Sequence, residues 1–383
     1  MKGLHITIGT SPDSIDGSGA YRLSLETELK MVKAALLYAD RAKLCSMTSS
    51  ALLDGLSFRE FPTHKKVDFV EAMAMRMEGY FDMSSISNVV GQYRQAWRKR
   101  YSKDGRAKLK LLETHLEKVW PIVEVQTAEM VRKAGGNGIL QAKESGLLEI
   151  HMPGDALLKM FSQGAEHDEW MMEYVGVIAN SVSDASTYPL FDELMSRLIG
   201  SGVRAGFFTV SESGTIRGKE AGLAAELFKR LPLFEEASID EILDIRRELE
   251  QPLVRFRSAM IEFSEKIKDA AWDEDFSFDA EQVFNRDVAP AVLNIEDEVK
   301  ANSYLKELAR KWIDKPLLLT GGSALALALS NLPVPSIAAL AVGITANTLA
   351  AVYDTNKEWK KQQRAAEQNN MYFYYRAGKL LSE

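Results

Sequence analysis

A chain of 383 residues, 46% apolar and 26% charged, is long enough for two or three domains, each burying its own core. Its formal net charge of −7 argues against a general nucleic-acid binder, which needs a basic face. A single cysteine, Cys45, excludes an intramolecular disulfide framework and fits a reducing cytoplasm.

The first residues, Met1–Ile8, lack the apolar core of a signal peptide, so a cytosolic start is expected. Leu4–Ile8 reads as a strand, followed by the polar loop Thr10–Gly19. A helix is predicted from Ser24 to Ala39, with Leu25, Leu29, Val32, Leu36 and Leu37 at helical spacing. Ala42–Met47 reads as a second strand, making a β-α-β start. Helices then dominate: Thr63–Phe81, Ser84–Tyr101 and Arg106–Lys133, the last kinked at Pro121, with a turn at Gly135–Gly138. Further strands are expected at Leu147–His151 and Arg204–Val210, and short helices at Asp155–Gln163, Glu166–Asn180 and Leu190–Ile199.

A boundary is placed near Leu233. Ser238 and Glu241 have capping-box spacing and open an amphipathic pattern that runs to Trp272, interrupted at Pro252. After the acidic turn Asp273–Asp275, a second pattern spans Asp279–Ile313, with a kink expected at Pro290. At ~1.5 Å per residue each arm approaches roughly 50 Å, which suggests an antiparallel helical hairpin. A plain helical bundle is the other reading.

Pro316–Tyr353 contains no charged side chain. Two prolines in Asn331-Leu332-Pro333-Val334-Pro335 divide it into arms of 15 and 18 residues. A bilayer core needs about 20 helical residues, and ~17 is the lower limit. The second arm has six Leu, Ile or Val residues, worth roughly 2–4 kcal/mol of gross insertion free energy. Ser336, Gly343, Thr345, Asn347 and Thr348 offset much of it, so insertion sits near balance. Ala339, Gly343, Asn347 and Ala351 form a small-residue stripe suited to close helix approach, and Gly321 and Gly322 serve packing or flexibility in the first arm. Arg310, Lys311 and Lys315 precede the segment, and Lys357, Lys360, Lys361 and Arg364 follow it. Positive charge on both sides keeps both ends on the cytoplasmic face. Tyr372–Tyr375, with Arg376 and Lys379, add aromatics and cations suited to an interface.

The fold class expected is therefore a mixed α/β N-terminal part, then mostly α, with long antiparallel helices and a C-terminal hydrophobic helical hairpin. The domains fall at 1–234, 235–315, 316–353 and a basic aromatic tail, 354–383.

Long amphipathic helices followed by an Ala/Gly/Leu-rich hairpin broken at Asn331–Pro335 resemble the hydrophobic hairpin of colicin-type pore-forming domains. Separately, Lys33–Asp40 and Asp240–Leu249 resemble stretches of an uncharacterised family of bacterial cytoplasmic proteins. That resemblance implies a prokaryotic source and no established activity. Neither resemblance transfers a functional residue.

Catalytic signatures are sparse. The five histidines lack HExxH spacing, and there is no CxxC. Glu166–Glu169 diverge by about 100° per residue on a helix and cannot all grip one ion. Gly17-Ser18-Gly19 stands between a strand and a helix but matches no nucleotide-loop pattern, and Asp13 and Asp16 would repel phosphate, though they could hold Mg²⁺. Cys45 reads as a small core residue. A basic run from Arg94 to Lys110, interleaved with Tyr93, Trp97 and Tyr101, suits stacked bases or lipid headgroups, against the more ordinary reading of a solvated helix face.

No catalytic residue, metal ligand or cofactor is expected. The expected function is a conditionally membrane-inserting effector, cytoplasmic until triggered, that then inserts its hairpin and permeabilises or remodels the bacterial inner membrane in antiviral or stress defence. Its partners would be inner-membrane lipids, further copies of itself and a protein trigger, with nucleic acid not expected. The alternative is a soluble oligomeric sensor or scaffold that uses the hairpin as its assembly core.

Overall fold

The computed structural model describes residues 3–11, 24–76, 87–151, 165–297, 299 and 366–382. They divide into two compact units. One holds the described residues of Met1–Glu248, Met260–Val283 and Leu380–Glu383, the other those of Leu249–Ala259 and Phe284–Lys379.

The first unit is built on a four-stranded parallel sheet of β1 (His5–Gly9), β2 (Arg41–Cys45), β3 (Leu148–Ile150) and β4 (Tyr188–Phe191), in the order β3-β2-β1-β4. Ile8 pairs with Leu44 on one side and Leu190 on the other. Ile6, Ile8, Ala42, Leu44 and Cys45 are all buried, as a parallel sheet covered on both faces requires. Helix α1 (Glu26–Tyr38) makes the β1–β2 crossover and is buried along most of its length.

Between β2 and β3 lies the helical insertion: α2 (Met47–Leu56), α3 (Thr63–Arg76), α4 (Ser87–Arg98), α5 (Lys103–Leu116), α6 (Trp120–Lys133) and α7 (Gly136–Glu144). Phe58 centres its aromatic core, with ring centroids 5.0 Å from Phe69 and 5.5 Å from Trp120. Pro121 begins α6 where a kink in one long helix was predicted, because a proline without an N–H is best accommodated in a first turn. Gly135 takes φ 89 ahead of α7, a left-handed conformation that favours glycine.

After β3 come α8 (Ala165–Ser183), then β4, α9 (Glu193–Arg204) and α10 (Glu212–Phe228). The strand predicted at Arg204–Val210 is absent. Phe208 instead folds back on Gly202 of α9, where a Cβ would lie 2.2 Å from its ring. The fourth strand is Tyr188–Phe191, whose Pro189 is tolerated because β4 is an edge of the sheet. α10 packs along that strand and against α1.

Helix α11 (Ile239–Glu248) carries the predicted capping box. Ser238 N donates to Glu241 Oε2 at 2.6 Å, and Glu241 N donates to Ser238 Oγ at 3.2 Å. Its Arg246 donates to the carbonyls of Leu36 (2.7 Å) and Ala39 and pairs with Asp40 (3.2 Å), closing the C-terminus of α1. Asp40 Oδ2 in turn accepts from Leu4 N at 2.7 Å, ahead of β1. The predicted pattern to Trp272 resolves into α11, α12 (Glu250–Ser264) and a turn region, followed by α13 (Phe276–Val283).

In the second unit, Phe284–Val288 forms a π-helical turn ahead of Pro290, which has no N–H for the usual i−4 bond, and helix continues through 289–297. The ring of Phe256 in α12 lies 5.2 Å from Phe373 of α14 (Tyr372–Leu380). The chain thus begins as mixed α/β around a small parallel sheet and continues mostly as helix.

One close contact tests this packing. A Cβ on Gly9 would lie 2.6 Å from Ile178 Cδ1 and 2.9 Å from the Phe191 ring. Gly9→Val is expected to lower stability by about 1–3 kcal/mol in thermal or urea denaturation, and Ile178→Ala in the same chain should recover part of the loss.

Candidate functional site

Parallel strands all end at the same edge of the sheet, so the residues that follow each of them converge. Gly9 leads into Thr10 and Ser11, Cys45 into Ser46, Ile150 into His151 and Phe191 into Asp192. Helices α1 and α2 start at this end, adding Glu28 and the hydroxyl run Ser46, Thr48, Ser49 and Ser50.

Glu28 is the centre of the cluster. Its side chain is 1% exposed, and Oε1 accepts from Thr10 Oγ1 at 3.1 Å and Ser46 Oγ at 2.7 Å. Ser46 also caps α2, accepting from Ser49 N at 3.0 Å. Ser50 Oγ donates to the carbonyl of His151 at 2.5 Å, which draws the first turn of α2 against the end of β3. On the other flank, Asp192 Oδ2 accepts from Ser11 N at 2.6 Å and Ser11 Oγ at 2.8 Å, while Oδ1 caps α9 through Met195 N at 2.7 Å. The Tyr174 hydroxyl of α8 reaches the carbonyls of Thr10 and Cys45, the latter at 3.0 Å.

Three groups in this cluster find no hydrogen-bond partner among the described residues: the hydroxyls of Thr48 and Ser49, both 0% exposed, and Nε2 of His151. A buried polar group left unpaired costs about 1–3 kcal/mol.

Protonation states follow from burial. Burial pushes the Cys45 thiol up to about 11, which keeps it neutral and unsuited to nucleophilic attack. Burial, followed by the charges of Cys45, Asp192 and Glu28, raises the Tyr174 hydroxyl well above its usual range. Burial and then Lys43 lower His151, against the pull of Glu173 and Glu149, so its imidazole is neutral at pH 7. Among the described residues no group of three or more His, Cys, Asp or Glu is placed to hold a metal ion.

A second feature is a cavity of about 620 Å³ among α1, β4, α9, α10 and residues 271–277, floored by Met31, Phe191, Trp272 and Phe276. Its cations are committed to neighbours: Lys30 to Glu235 at 2.8 Å, Arg197 to Glu193 at 2.5 Å and Lys229 to Glu226 at 2.5 Å.

Most residues predicted to matter fall outside the described residues: Gly321, Gly322, Asn331, Pro333, Pro335, Ala339, Gly343, Asn347 and Ala351 of the hairpin, and the flanking Lys311, Lys315, Lys357, Lys360, Lys361 and Arg364. So do Asp13, Asp16 and Gly17–Gly19. Tyr372 and Tyr375 are half-buried on α14, and Lys379 Nζ lies 5.8 Å from the Tyr375 ring. Among the described residues no helix is long and apolar enough to cross a membrane.

The start of the aromatic-basic run packs internally, while Arg98, Lys99, Tyr101, Lys103, Arg106, Lys108 and Lys110 are exposed. Tyr93 is buried, and burial followed by Glu113 pushes its hydroxyl up to about 12. Trp97 stacks on His64 at 5.0 Å, and Arg94 is held by Glu71 at 2.5 Å and by Asp68. Glu28, Thr48, Ser49, His151 and Asp192 did not stand out in the sequence. The available signal was four hydroxyl residues directly after a strand, on the first turn of a helix.

No protein-family model matches the chain, and neither the curated proteins nor the solved structures contain a match to it.

Outside the cluster, Glu220 on α10 is 5% exposed. Burial raises its carboxyl from 4.5 to about 7, opposed by Arg217. Because the folded state holds this proton more tightly, its contribution to stability is greatest below pH 4.5 and is lost as pH rises through about 7. Glu220→Gln should therefore raise the melting temperature at pH 8 more than at pH 5, as read in paired thermal melts. An equal shift at both pH values would contradict the assignment.

Proposed function

We propose that this chain is an effector that inserts residues 316–353 as a helical hairpin into the bacterial inner membrane and permeabilises or remodels it. The observation that carries the reading is that the described residues on both sides of this uncharged stretch belong to one folded unit. Before it these are residues 284–297 and 299, and after it residues 366–379. Glu296 and Lys379 pair across the two ends at 3.6 Å, and Arg255 Nη2 donates to the carbonyl of Glu367 at 2.5 Å.

An excursion with both ends in one body crosses a bilayer an even number of times or not at all. Two arms folded at Asn331–Pro335 meet that condition, and the basic residues on each side hold both roots at the same face. With arms near the lower length limit, the segment is poised between burial in protein and insertion, as a triggered effector needs. The resemblance to colicin-type hairpins supplies the permeabilising act. Antiviral or stress defence, with a protein trigger, follows by analogy.

The small-residue stripe Ala339, Gly343, Asn347 and Ala351 favours a second reading, a soluble oligomer packed through the hairpin. Under it, Gly343→Leu dissolves the assembly and the protein ignores vesicles.

Dye-loaded vesicles containing anionic lipid separate the two. Full-length protein is expected to release dye, and deletion of 316–353 to abolish release. Ala339→Lys with Gly343→Lys should do the same while leaving the melting of the folded units unchanged, since each central lysine costs about 2.5–3.5 kcal/mol on insertion. Release by the deletion variant, or none by the full chain on acidification or crowding at the vesicle surface, contradicts the proposal.

A further inference from the structure

The turn from α4 into α5 gathers the positive charge of an acidic chain. Between Arg98 and Lys110 stand seven cations and one acid, Asp104, a local charge of +6 in a chain whose net charge is −7. The turn itself is closely built. Ser102 Oγ accepts from Gly105 N at 3.0 Å, capping α5, and donates to the Lys99 carbonyl at 2.9 Å. Gly105 packs so close to that carbonyl that a Cβ has no room. Arg100 Nη1 donates to the Trp97 carbonyl at 3.2 Å, and its guanidinium lies 4.5 Å from the Tyr101 ring. Cations at the end of α4 and the start of α5 are thereby held side by side.

Folding alone does not favour this arrangement. Lys103 and Arg106 occupy the first four positions of α5, at the positive end of its dipole. Lys103 with Arg106, and Arg106 with Lys110, are like-charge neighbours at i,i+3 and i,i+4, a spacing that weakens a helix. Arg94, one turn earlier, is held by Glu71 and Asp68. Among the described residues, by contrast, Arg98, Lys99, Lys103, Arg106, Lys108 and Lys110 form no ion pair, and all six are exposed.

Apolar surface lies beside these charges. At about 100° per residue, Lys103, Lys110 and Leu111 share the side of α5 opposite its buried Leu109, Leu112 and Leu116. Leu111 is 72% exposed, and Tyr101 at the turn is 82% exposed. Phosphates of a lipid bilayer or of a nucleic acid would both answer the charge. An exposed leucine gains from an interface and gains nothing from a phosphate backbone, and tyrosine beside cations suits the headgroup layer. The Trp97 ring is engaged by His64 at 5.0 Å, Tyr93 at 5.9 Å and Arg100 at 5.1 Å instead of standing open to a base. The balance favours lipid.

We infer that the α4–α5 turn and the outer side of α5 dock this protein on the surface of a bilayer rich in anionic phospholipid. Arg98, Lys99, Lys103, Arg106 and Lys110 meet the headgroup phosphates, and Tyr101 and Leu111 enter the interface. This docking rests on the membrane target proposed above, but it is a separate act from hairpin insertion.

Cosedimentation with vesicles tests it, using the full-length chain carrying Ala339→Asp and Gly343→Asp to bar the hairpin from the bilayer core. That chain is expected to bind vesicles of phosphatidylglycerol and phosphatidylcholine, to ignore pure phosphatidylcholine, and to be released at about 0.5 M salt. Changing Arg98, Lys99, Lys103, Arg106 and Lys110 together to Gln should weaken binding by about a hundredfold or more. Tyr101→Ser with Leu111→Ser, which alters no charge, should weaken it by about threefold or more. The five-Gln variant should melt at the same or a higher temperature, because it relieves repulsion within α5. No binding by the hairpin-blocked chain, equal binding by its five-Gln variant, or a lower melting temperature for that variant would overturn the inference. So would tighter binding to duplex DNA or to RNA than to anionic vesicles at equal phosphate concentration. Docking without dye release by the unblocked chain contradicts the hairpin reading alone, and dye release undiminished by the five Gln substitutions contradicts the docking alone.

Discussion

The position of β1 constrains everything else in the first unit. It is paired in parallel on both edges, to β2 and to β4, and Ile6 and Ile8 bury against helices. Parallel pairing forces the chain to cross back over the sheet before each new strand, which is why long helical stretches separate strands of three to five residues. It also brings all four carboxyl ends to one edge. The cluster of Thr10, Ser11, Glu28, Ser46, His151 and Asp192 is a consequence of that geometry, which joins Ser11 to Asp192 across 181 residues of sequence.

Helix α1 shows how buried charge is tolerated around this sheet. Lys33 is 3% exposed, yet its Nζ donates to the carbonyl of Glu235 at 2.5 Å. Burial lowers it, and Glu236 and Glu235 oppose the change. Leu233 takes φ 55 just before those acids, a left-handed conformation that turns the chain from α10 toward α11. Arg246 then closes the other end of α1. The C-terminal half of α1 and the turn after α10 are thus tied by hydrogen bonds to carbonyls, which hold at any salt concentration better than surface ion pairs do.

Local signals were legible in the sequence, and the nonlocal ones were not. The β-α-β start shows because Leu25, Leu29, Val32 and Leu36 have helical spacing between two short apolar runs. The Ser238–Glu241 capping box shows because its chemistry is contained in four residues. β4 was missed because Pro189 argues against a strand until its edge position is known. The strand predicted at Arg204–Val210 failed because the Gly202–Phe208 contact closes a turn that periodicity cannot register. Glu28 lies one position from the apolar stripe of α1 and reads as an ordinary exposed acid. The approach of Thr10 and Ser46, from distant parts of the chain, makes it a buried acceptor.

The uncharged stretch Pro316–Tyr353 links sequence to proposed function: in our proposal its 38 residues without a charge are covered by lipid or by protein. The chain offers a direct way to decide which. Its one cysteine, Cys45, is fully buried, so a labelled reporter can be placed in the hairpin by Ala339→Cys in a Cys45→Ala background. An environment-sensitive fluorophore at that position should shift to shorter wavelength on addition of anionic vesicles and be quenched by a quencher carried on the lipid tails. Emission that is unchanged by vesicles and untouched by the lipid-borne quencher would contradict the account.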